Sequence, residues 1–420
     1  MDIFQGLMSS MADMTRSAMS QCFPSSPEVL SINGHPYKVL TRLGEGGFSM
    51  VYLVRDLSTQ EEFAVKKIRC AAGTDAYAWA LREVDMYRRF HHSGIIQLRD
   101  VHVVKGISGA GSSLIGGSGN SGSGAEQRTA PSSALTSPAT TSTIDQTVYM
   151  FLPYYRRGNL QDWIQRERLE GDAMDERNLL RLFTQICEAV RAMHEYQPGE
   201  DELPELNPQT HPGGGNDHNR ASSTLTSSHG NDEVASTTTG QSAEGRGDSR
   251  DVSSYVRASD GARIVPYAHR DIKPANVMLK DDGTTPILMD LGSARRARVY
   301  IANRQQALQE QDDAAEHCSM PYRAPELFDV PTDTTLDEKV DIWSLGALLY
   351  ALAYGPSPFE CQMNEQGGSI ALAVMNGKYA VPANDPYSPA VSQLVKFMLV
   401  TDPAQRPTIA EVLAKVQTLS

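Results

Sequence analysis

The stretches AHRDIKPANVML (Ala268–Leu279) and MDLGSA (Met289–Ala294) decide how this chain is interpreted. Their polar side chains suit a reaction that moves a highly charged phosphate onto a hydroxyl, because positioning and charge stabilisation dominate such a step. Asp271 would accept or orient the hydroxyl proton. Lys273 points the same way along an extended loop and would neutralise charge on the transferred group. The spacing therefore indicates phosphoryl transfer.

Two further side chains in these stretches carry oxygen atoms that suit a magnesium ion. Asp290 offers a carboxylate, and Asn276 offers an amide oxygen. Mg²⁺ keeps several waters and is held by few carboxylates together with substrate phosphate oxygens, so it does not require a cage of protein ligands. We therefore expect Mg²⁺ at Asp290 and Asn276.

The complete string is far more specific than its His-Arg-Asp core, which alone is most often a solvated charge pair in a surface turn. It resembles the catalytic loop of the eukaryotic protein kinases, HRDxKxxN, followed by D-[FL]-G. Lys273 corresponds to the serine/threonine version. The resemblance implies an α+β, bilobal kinase fold with a small β-rich N-lobe and a larger helical C-lobe, and it implies ATP and Mg²⁺ as cofactors.

A glycine-rich stretch near the start, LGEGGFSMVYLV (Leu43–Val54), predicts a strand, a tight turn and a second strand. Alone it is weak support for nucleotide binding, since many hairpins look like this. Ser49 replaces the third glycine of the kinase pattern, which puts the flexibility of the loop in doubt. The resemblance makes the following residues nucleotide-binding: Leu43, Gly44, Glu45, Gly46, Gly47, Phe48, Ser49, Val51 and Ala64.

The apolar strand FAVKK (Phe63–Lys67) carries Lys66 where kinases keep the lysine that binds the α and β phosphates. In the next segment, apolar residues at positions 79, 80, 84, 87 and 90 recur at near-helical spacing. Glu83 on this helix would face the strand. The resemblance makes Glu83 the partner of Lys66, although a solvated helix charge is the simpler interpretation of Glu83 alone.

The run FLPYYRRGNL (Phe151–Leu160) resembles the hinge between kinase lobes, where adenine bonds to backbone groups. In that alignment Leu152 is the gatekeeper residue. Pro153 and Tyr155 present the backbone groups that bind adenine. Proline has no N–H, which does no harm if only its carbonyl is used.

Three residues of the second half complete the resemblance. Glu326 ends the motif APE and, in the family, pairs with an arginine near the C-terminus, which is Arg406 here. Asp341, at the start of an apolar helix expected to be buried, fixes the backbone of the catalytic loop in the family. Taken singly, a helix cap and a surface arginine would explain Asp341 and Arg406 equally well.

The activation segment between Asp290 and Glu326 is long, and RQQALQEQDDAAEHC in its middle contains strong helix formers without proline or glycine. We expect a helix there. Arg270 is the residue that phosphate-switched kinases use to bind a modified loop. Ser319 and Tyr322 are candidates for modification, but a hydrogen bond from Ser319 to the catalytic loop is the preferred explanation of that serine.

At 420 residues the chain exceeds the roughly 250 to 300 residues of a kinase core. Two stretches without apolar periodicity, about 105–147 and about 197–262, absorb the surplus and are expected to be disordered. The predicted organisation is a leader (1–35), an N-lobe (36–152) and a C-lobe (153–420). A loop that grows to about 70 residues costs the fold only about 2 kcal/mol.

The long activation segment and the strings LGEGGFS, REVDMYRRF and GSIALAV resemble the Numb-associated kinase family, closest to its lipid-anchored (myristoylated and palmitoylated) serine/threonine kinase branch and a fungal vacuolar relative. Asp2 stands where myristoylation requires glycine. An apolar stripe in residues 3–14 and Cys22, as an acylation site, would supply two signals for peripheral membrane anchoring. A short docking helix or a disordered leader explains the same residues.

The net charge of −13 argues against nucleic acid as a partner. The five cysteines lack metal or disulfide spacing, which favours a reducing, cytoplasmic location, with peripheral binding to an endomembrane such as the vacuole or Golgi. We expect a kinase that phosphorylates proteins and itself and acts in membrane trafficking. A pseudokinase scaffold is the alternative, but its usual sign, loss of Lys66, Asp271 or Asp290, is absent.

Overall fold

The computed structural model describes residues 29–46, 49–105, 145–170, 174–199, 254–257, 259–361 and 368–419. Residues 1–28, most of both stretches expected to be disordered, and the glycine-rich loop residues Gly47 and Phe48 lie outside these ranges. Within the described ranges, every helix falls short of the length and apolar character that a membrane span requires.

The small lobe is an antiparallel sheet of six strands in the order β1-β2-β3-β4-β6-β5. An Asn33-Gly34 turn joins the first two strands, and both residues adopt the positive φ angles that this type of tight hairpin turn requires. The strands have these bounds: β1 Val29–Ile32, β2 His35–Glu45, β3 Ser49–Asp56, β4 Glu62–Cys70, β5 Asp100–Lys105 and β6 Gln146–Pro153.

Alternate residues of strand β6 serve two different cores because successive side chains of a strand point to opposite faces. Val148, Met150 and Leu152 join the main core, which continues into the large lobe. Tyr149 and Phe151 join a smaller apolar cluster on the other face of the sheet. The sheet is thus buried on both sides near the hinge.

Helix α1 (Ala76–Arg89) packs against the inner face of the sheet and buries Ala80, Val84 and Tyr87. Glu83 is buried among these apolar residues. Trp79 was also placed on the apolar face by its spacing, but it is 39% exposed. Its ring instead lies 5.0 Å from the ring of His317 in the activation segment, so it serves a contact between distant segments.

The large lobe is mainly helical, with short strand pairs that carry the catalytic loop. Its helices are α2 Leu160–Glu170, α3 Glu176–His194, α4 Arg304–His317, α5 Lys339–Tyr354, α6 Ile370–Met375, α7 Pro389–Met398 and α8 Ile409–Gln417. Its strands are β7 Tyr255–Val256, β8 Arg263–Ile264, β9 Tyr267–Ala268, β10 Val277–Leu279, β11 Pro286–Leu288, β12 Arg295–Arg296, β13 Val299–Ile301 and β14 Thr334–Leu336.

Helix α5 forms the centre of the large lobe, as its sequence predicted. It is apolar on all sides and is buried from Val340 to Leu352, which is expected of a helix surrounded by other elements. Gly346 lets helix α7 approach closely. A Cβ atom at this position would lie 2.9 Å from the Leu399 side chain.

The helix predicted in the activation segment is present as α4. Asn303 caps its first turn, since its side-chain oxygen accepts a hydrogen bond from the backbone N–H of Gln306 at 3.0 Å. Strand β13 precedes the helix and pairs antiparallel with β14, which leads into α5. This strand pair fixes the part of the segment that precedes α4 to the large lobe.

Three boundaries in the structure differ from those expected from composition. Residues 29–35, assigned to the leader, belong to the β1–β2 hairpin of the sheet. Strands β5 and β6 include residues 105, 146 and 147 of the first stretch expected to be disordered. Near the end of the second such stretch, β7 pairs with β8. Short or polar strand ends lack the apolar periodicity on which the expectation depended.

Candidate active site

Lys66, Glu83 and Asp290 converge where the small lobe faces the large lobe. The Nζ atom of Lys66 donates to Glu83 Oε1 at 2.6 Å and to Asp290 Oδ1 at 3.1 Å. The predicted ion pair between strand β4 and helix α1 is thus present, and it extends to the carboxylate expected to bind the metal. This contact joins residues that are 224 positions apart in the chain.

The charges of this triad stabilise one another despite burial. Burial alone would lower the pKa of Lys66, but the carboxylates of Asp290 and Glu83 outweigh it and raise that pKa well above its ordinary value. The charge of Lys66 lowers the pKa of Asp290. Glu83 differs, because burial and the charge of Asp290 together raise its pKa against the opposing effect of Lys66. Lys66 therefore stays charged beside the anionic Asp290.

The catalytic loop places Asp271, Lys273 and Asn276 together at the opposite side of the same opening. Asp271 Oδ2 lies 2.8 Å from Lys273 Nζ and accepts from Asn276 Nδ2 at 2.9 Å. Asp271 Oδ1 accepts from the backbone N–H of Ser319 at 2.9 Å. Lys273 Nζ also donates to Ser319 Oγ at 2.6 Å, which is the hydrogen bond to the loop that the sequence favoured for this serine.

Asp341 fixes the backbone of the catalytic loop through hydrogen bonds, as expected. Its two carboxylate oxygens accept from the backbone N–H groups of His269 at 2.7 Å and Arg270 at 2.8 Å, and from His194 Nε2 at 3.0 Å. Burial opposes its charge, but these hydrogen bonds and the adjacent histidines lower its pKa overall. Asp341 therefore acts as a fixed anion that directs the loop.

Two residues of the site hold backbone conformations that are rare for residues other than glycine. Arg270 has φ +70° and Asp290 has φ +61°. Such conformations cost free energy and persist only where the surrounding contacts determine them. The hydrogen bonds to Asp341 and the contact with Lys66 supply that determination.

The expected nucleotide-binding residues lie in β2, β3, β4 and at the end of β6. Gly46 N donates to Ser49 O at 2.8 Å, so the end of β2 meets the start of β3 at the glycine-rich loop. Ala64 faces Leu152 across the β4–β6 pair, and Pro153 ends β6. The others lie as follows: Leu43, Gly44 and Glu45 in β2, Val51 in β3, and Tyr155 just after β6. Gly47 and Phe48 are outside the described residues.

A cavity of about 700 Å³ connects the two sides of the site. Its walls include Lys66, Glu83, Asp271, Lys273 and Asp290 together with Gly46 and Ser49. The described residues that line this cavity do not include the hinge residues Leu152, Pro153 and Tyr155. They also do not include the strand residues Leu43, Val51 and Ala64. The cavity therefore corresponds to the phosphate and substrate end of the site.

Sequence reasoning missed several residues at this end. Trp79, Glu316 and His317 also line the cavity, and Glu310 pairs with Arg270 at 3.0 Å. Helical spacing could have predicted which face of α4 carries Glu310. It could not have predicted that this face meets the catalytic loop.

The pair expected between Glu326 and Arg406 is present as a bidentate contact at 2.7 and 2.9 Å. Arg406 is fully buried, and its guanidinium also donates to the carbonyl of Lys339 at 2.8 Å. Paired donors of this kind satisfy a buried guanidinium well. The contact ties the end of the activation segment to the start of α5.

Comparison with known proteins agrees with this geometry. The family model described as protein kinase domain matches residues 37–197 and 265–416. The chain is 29% identical to serine/threonine-protein kinase ppk13 of Schizosaccharomyces pombe over 98% of both chains. It is 30% identical to serine/threonine-protein kinase ENV7 of Saccharomyces cerevisiae over 95% of this chain and 96% of that protein. It is also 30% identical to serine/threonine-protein kinase 16 of Homo sapiens over 92% of each.

The chain therefore belongs to the protein kinase family. The fold class predicted from the sequence is confirmed. The chain is an ATP-dependent protein serine/threonine kinase, as its relatives over nearly the full length are named. The gap between the two matched ranges coincides with the second stretch predicted as an insertion.

Proposed function

We propose that this kinase transfers the γ-phosphate of ATP, with Mg²⁺, to serine and threonine hydroxyls of protein substrates and of its own chain. One observation carries the proposal. Lys66 lies within hydrogen-bond distance of both Glu83 and Asp290, in a cavity that also contains Asp271. The groups for phosphate binding and for hydroxyl orientation are thus already assembled.

The residues present fit a magnesium ion. The Asp290 side chain is 41% exposed, and only its Oδ1 atom is engaged by Lys66, so Oδ2 remains available to a metal. Asn276 uses its Nδ2 atom to donate to Asp271, which leaves its amide oxygen for the ion. Bound there, Mg²⁺ would neutralise charge on the phosphates.

Side chains of the catalytic loop can orient the substrate hydroxyl that receives the phosphate. Asp271 is fixed by Ser319 N and by Asn276, so its carboxylate can accept a hydrogen bond from a substrate hydroxyl in a defined direction. Lys273 next to it supplies a positive charge for the transferred group. Lys66 serves the phosphates on the small-lobe side.

We place adenine at the hinge, beyond the cavity. The carbonyl of Tyr155 accepts from Gly158 N at 3.4 Å, so we expect Tyr155 to offer its N–H instead. Pro153 can offer only its carbonyl. Leu152, buried in the main core, would limit the depth of the adenine pocket.

A kinase assay with labelled ATP tests the transfer. Asp271→Asn should abolish incorporation of phosphate into protein and into the chain itself, and EDTA should do the same to the wild type. The control Asp312→Asn removes a carboxylate from the exposed side of α4 and should keep full activity. A wild type that binds ATP but transfers nothing would instead establish a pseudokinase scaffold.

We further propose that the protein belongs to the Numb-associated group of kinases and acts in membrane trafficking at an endomembrane. The support is the sequence resemblance to the lipid-anchored branch, with Cys22 and an apolar stripe as anchoring signals. The stripe consists of Ile3, Phe4, Leu7, Met8, Met11 and Met14. These residues lie outside the described ranges.

Cell fractionation tests the anchor. Cys22→Ser should move the protein from the membrane fraction to the soluble fraction, because one apolar segment without an acyl chain binds membranes only weakly. Cys361→Ser, which removes a different cysteine, is the matched control. Equal distribution of wild type and Cys22→Ser would refute anchoring through this residue.

A further inference from the structure

A cluster of one buried arginine, one half-buried arginine and two carboxylates lies behind the catalytic loop, outside the cavity. Arg270 Nη1 donates to Glu310 Oε2 at 3.0 Å. The second oxygen of Glu310, Oε1, accepts from Arg295 Nη1 at 3.3 Å. Arg295 also contacts Asp313. Glu310 therefore bridges two cations that belong to different segments of the chain.

Arg270 needs this partner because its charge is permanent and its side chain is only 5% exposed. Within the described part of the chain, Glu310 supplies the carboxylate within ion-pair distance of Arg270. The Cys318 thiol also lies against Arg270, but it is neutral and cannot balance the charge of the guanidinium. A buried ion that loses its charged partner is strongly disfavoured.

The positive charges of the two arginines also repel each other. Burial, followed by the positive charge of Arg270, lowers the pKa of Arg295. Glu310 and Asp313 lie one turn apart on helix α4, so both carboxylates point to the same side of the helix and neutralise the pair. This arrangement requires that α4 be folded and docked.

The position of Arg270 makes the contact relevant to the reaction. Arg270 immediately precedes Asp271, has a positive φ angle, and donates its backbone N–H to Asp341. Its backbone is thus held from one side by Asp341, and its side chain is held from the other side by Glu310. Movement of the side chain would be transmitted directly to the carboxylate of Asp271.

We propose that Glu310 is a positioning residue of this kinase: its carboxylate occupies the anion site of Arg270 and couples the catalytic loop to the activation-segment helix. In kinases that are switched by phosphorylation, a phosphate on the activation segment binds arginines of this kind. Here the chain carries the anion itself, fixed on a helix. The inference rests on the proposed transfer activity.

The test compares Glu310→Gln, which removes the charge at nearly constant shape, with Glu310→Asp and with the control Asp312→Asn on the same helix. Small displacements of reacting groups can reduce rates by about 100-fold. We expect Glu310→Gln to lower kcat by roughly tenfold to 100-fold with KM for ATP unchanged, since Lys66 and Asp290 are not in contact with Glu310. Glu310→Asp should restore part of kcat, and Asp312→Asn should match the wild type.

The same substitution in an Arg270→Gln background shows whether Glu310 acts through Arg270. Glu310→Gln should then cause no further loss of kcat, because the charge of Arg270 is gone and Asp313 still pairs with Arg295. A full additional loss in this background would overturn the proposal. So would a kcat of Glu310→Gln within twofold of that of Asp312→Asn.

Hydrogen exchange of the His269 and Arg270 amides gives a second measurement that does not depend on activity. Glu310→Gln should accelerate exchange there at a temperature where the amides of helix α5 stay protected. Uniform acceleration across the large lobe would indicate general destabilisation and would overturn the positioning role. If the wild type transfers no phosphate, the proposed function fails, and this exchange measurement still decides the role of Glu310.

Discussion

The two sides of the active site are held in different ways. On the small-lobe side, one lysine joins strand β4 to helix α1 and to Asp290, and it connects separate segments across an open cavity. On the large-lobe side, Asp341, Glu310 and the Glu326–Arg406 pair fix the catalytic and activation segments from a buried core. The first side thus provides binding and chemistry but little stability, whereas the second side also stabilises the fold.

The largest expected effect separates activity from stability on the small-lobe side. Lys66→Met should lower kcat/KM by about 100-fold to 1,000-fold, the usual effect of removing one preorganised donor. The free energy of unfolding should fall less than in Asp341→Ala, because Glu83 and Asp290 line the cavity, where water can replace part of the contact with Lys66. Kinase assays and denaturant unfolding measure the two quantities.

The neighbouring residue offers the control for Lys66. Lys67 lies over the Tyr149 ring, 5.7 Å from its centroid, on the opposite face of the sheet. Lys67→Met should keep activity within a few fold of the wild type. Equal losses in both variants would show that a general charge effect, not the contact with Glu83 and Asp290, is responsible.

On the large-lobe side, Asp341→Ala should reduce both stability and activity. It leaves the buried N–H groups of His269 and Arg270 without acceptors, at a cost of about 1 to 3 kcal/mol each, or about 2 to 6 kcal/mol in total. Urea unfolding followed by circular dichroism measures this loss. A stable but inactive Asp341→Ala protein would break the contrast between the two sides.

A smaller effect is expected in the packing beneath the site. Gly346→Ala adds a Cβ atom 2.9 Å from the Leu399 side chain, and such overpacking costs about 1 to 3 kcal/mol, less any gain in helix propensity. The loss should be smaller in a Leu399→Ala background, where the neighbour is removed. Thermal unfolding of the four proteins measures the difference, and full additivity would contradict the steric explanation.

The smallest effect concerns the turn between β10 and β11. Asp282 accepts hydrogen bonds from Thr284 N and from Thr285, foremost the Thr285 hydroxyl, which lower its pKa to about 2. Because the folded pKa lies below the ordinary value, the ionised carboxylate stabilises the fold above about pH 4, and this stabilisation is lost as the pH falls toward 2.

The test for this turn compares Asp282→Ala with the wild type by denaturant unfolding. Since the turn is exposed, we expect a difference below about 1 kcal/mol at pH 7 that shrinks on acidification below about pH 4. A difference that grows on acidification would contradict the assignment of the pKa shift.

Much of this architecture could be predicted because its signals are local. The resemblance of its apolar run to the central kinase helix predicted helix α5, and strong helix formers without proline or glycine predicted helix α4. The strand ends and the β7–β8 hairpin were missed because short polar segments acquire strand pairing only from neighbours. The exposure of Trp79 was missed for a related reason, since periodicity indicates a face but not what lies against it.

The sequence by itself determined the chemistry: which carboxylates, amines and amides the site contains, and in what order, because these identities are carried by short motifs whose spacing follows from local backbone geometry. Only the tertiary structure decided which of them meet. Glu310 and Arg270 are 40 residues apart, and Lys66 and Asp290 are 224 apart. Contacts at such separations depend on how helices and sheets pack, and packing is a property of the whole core.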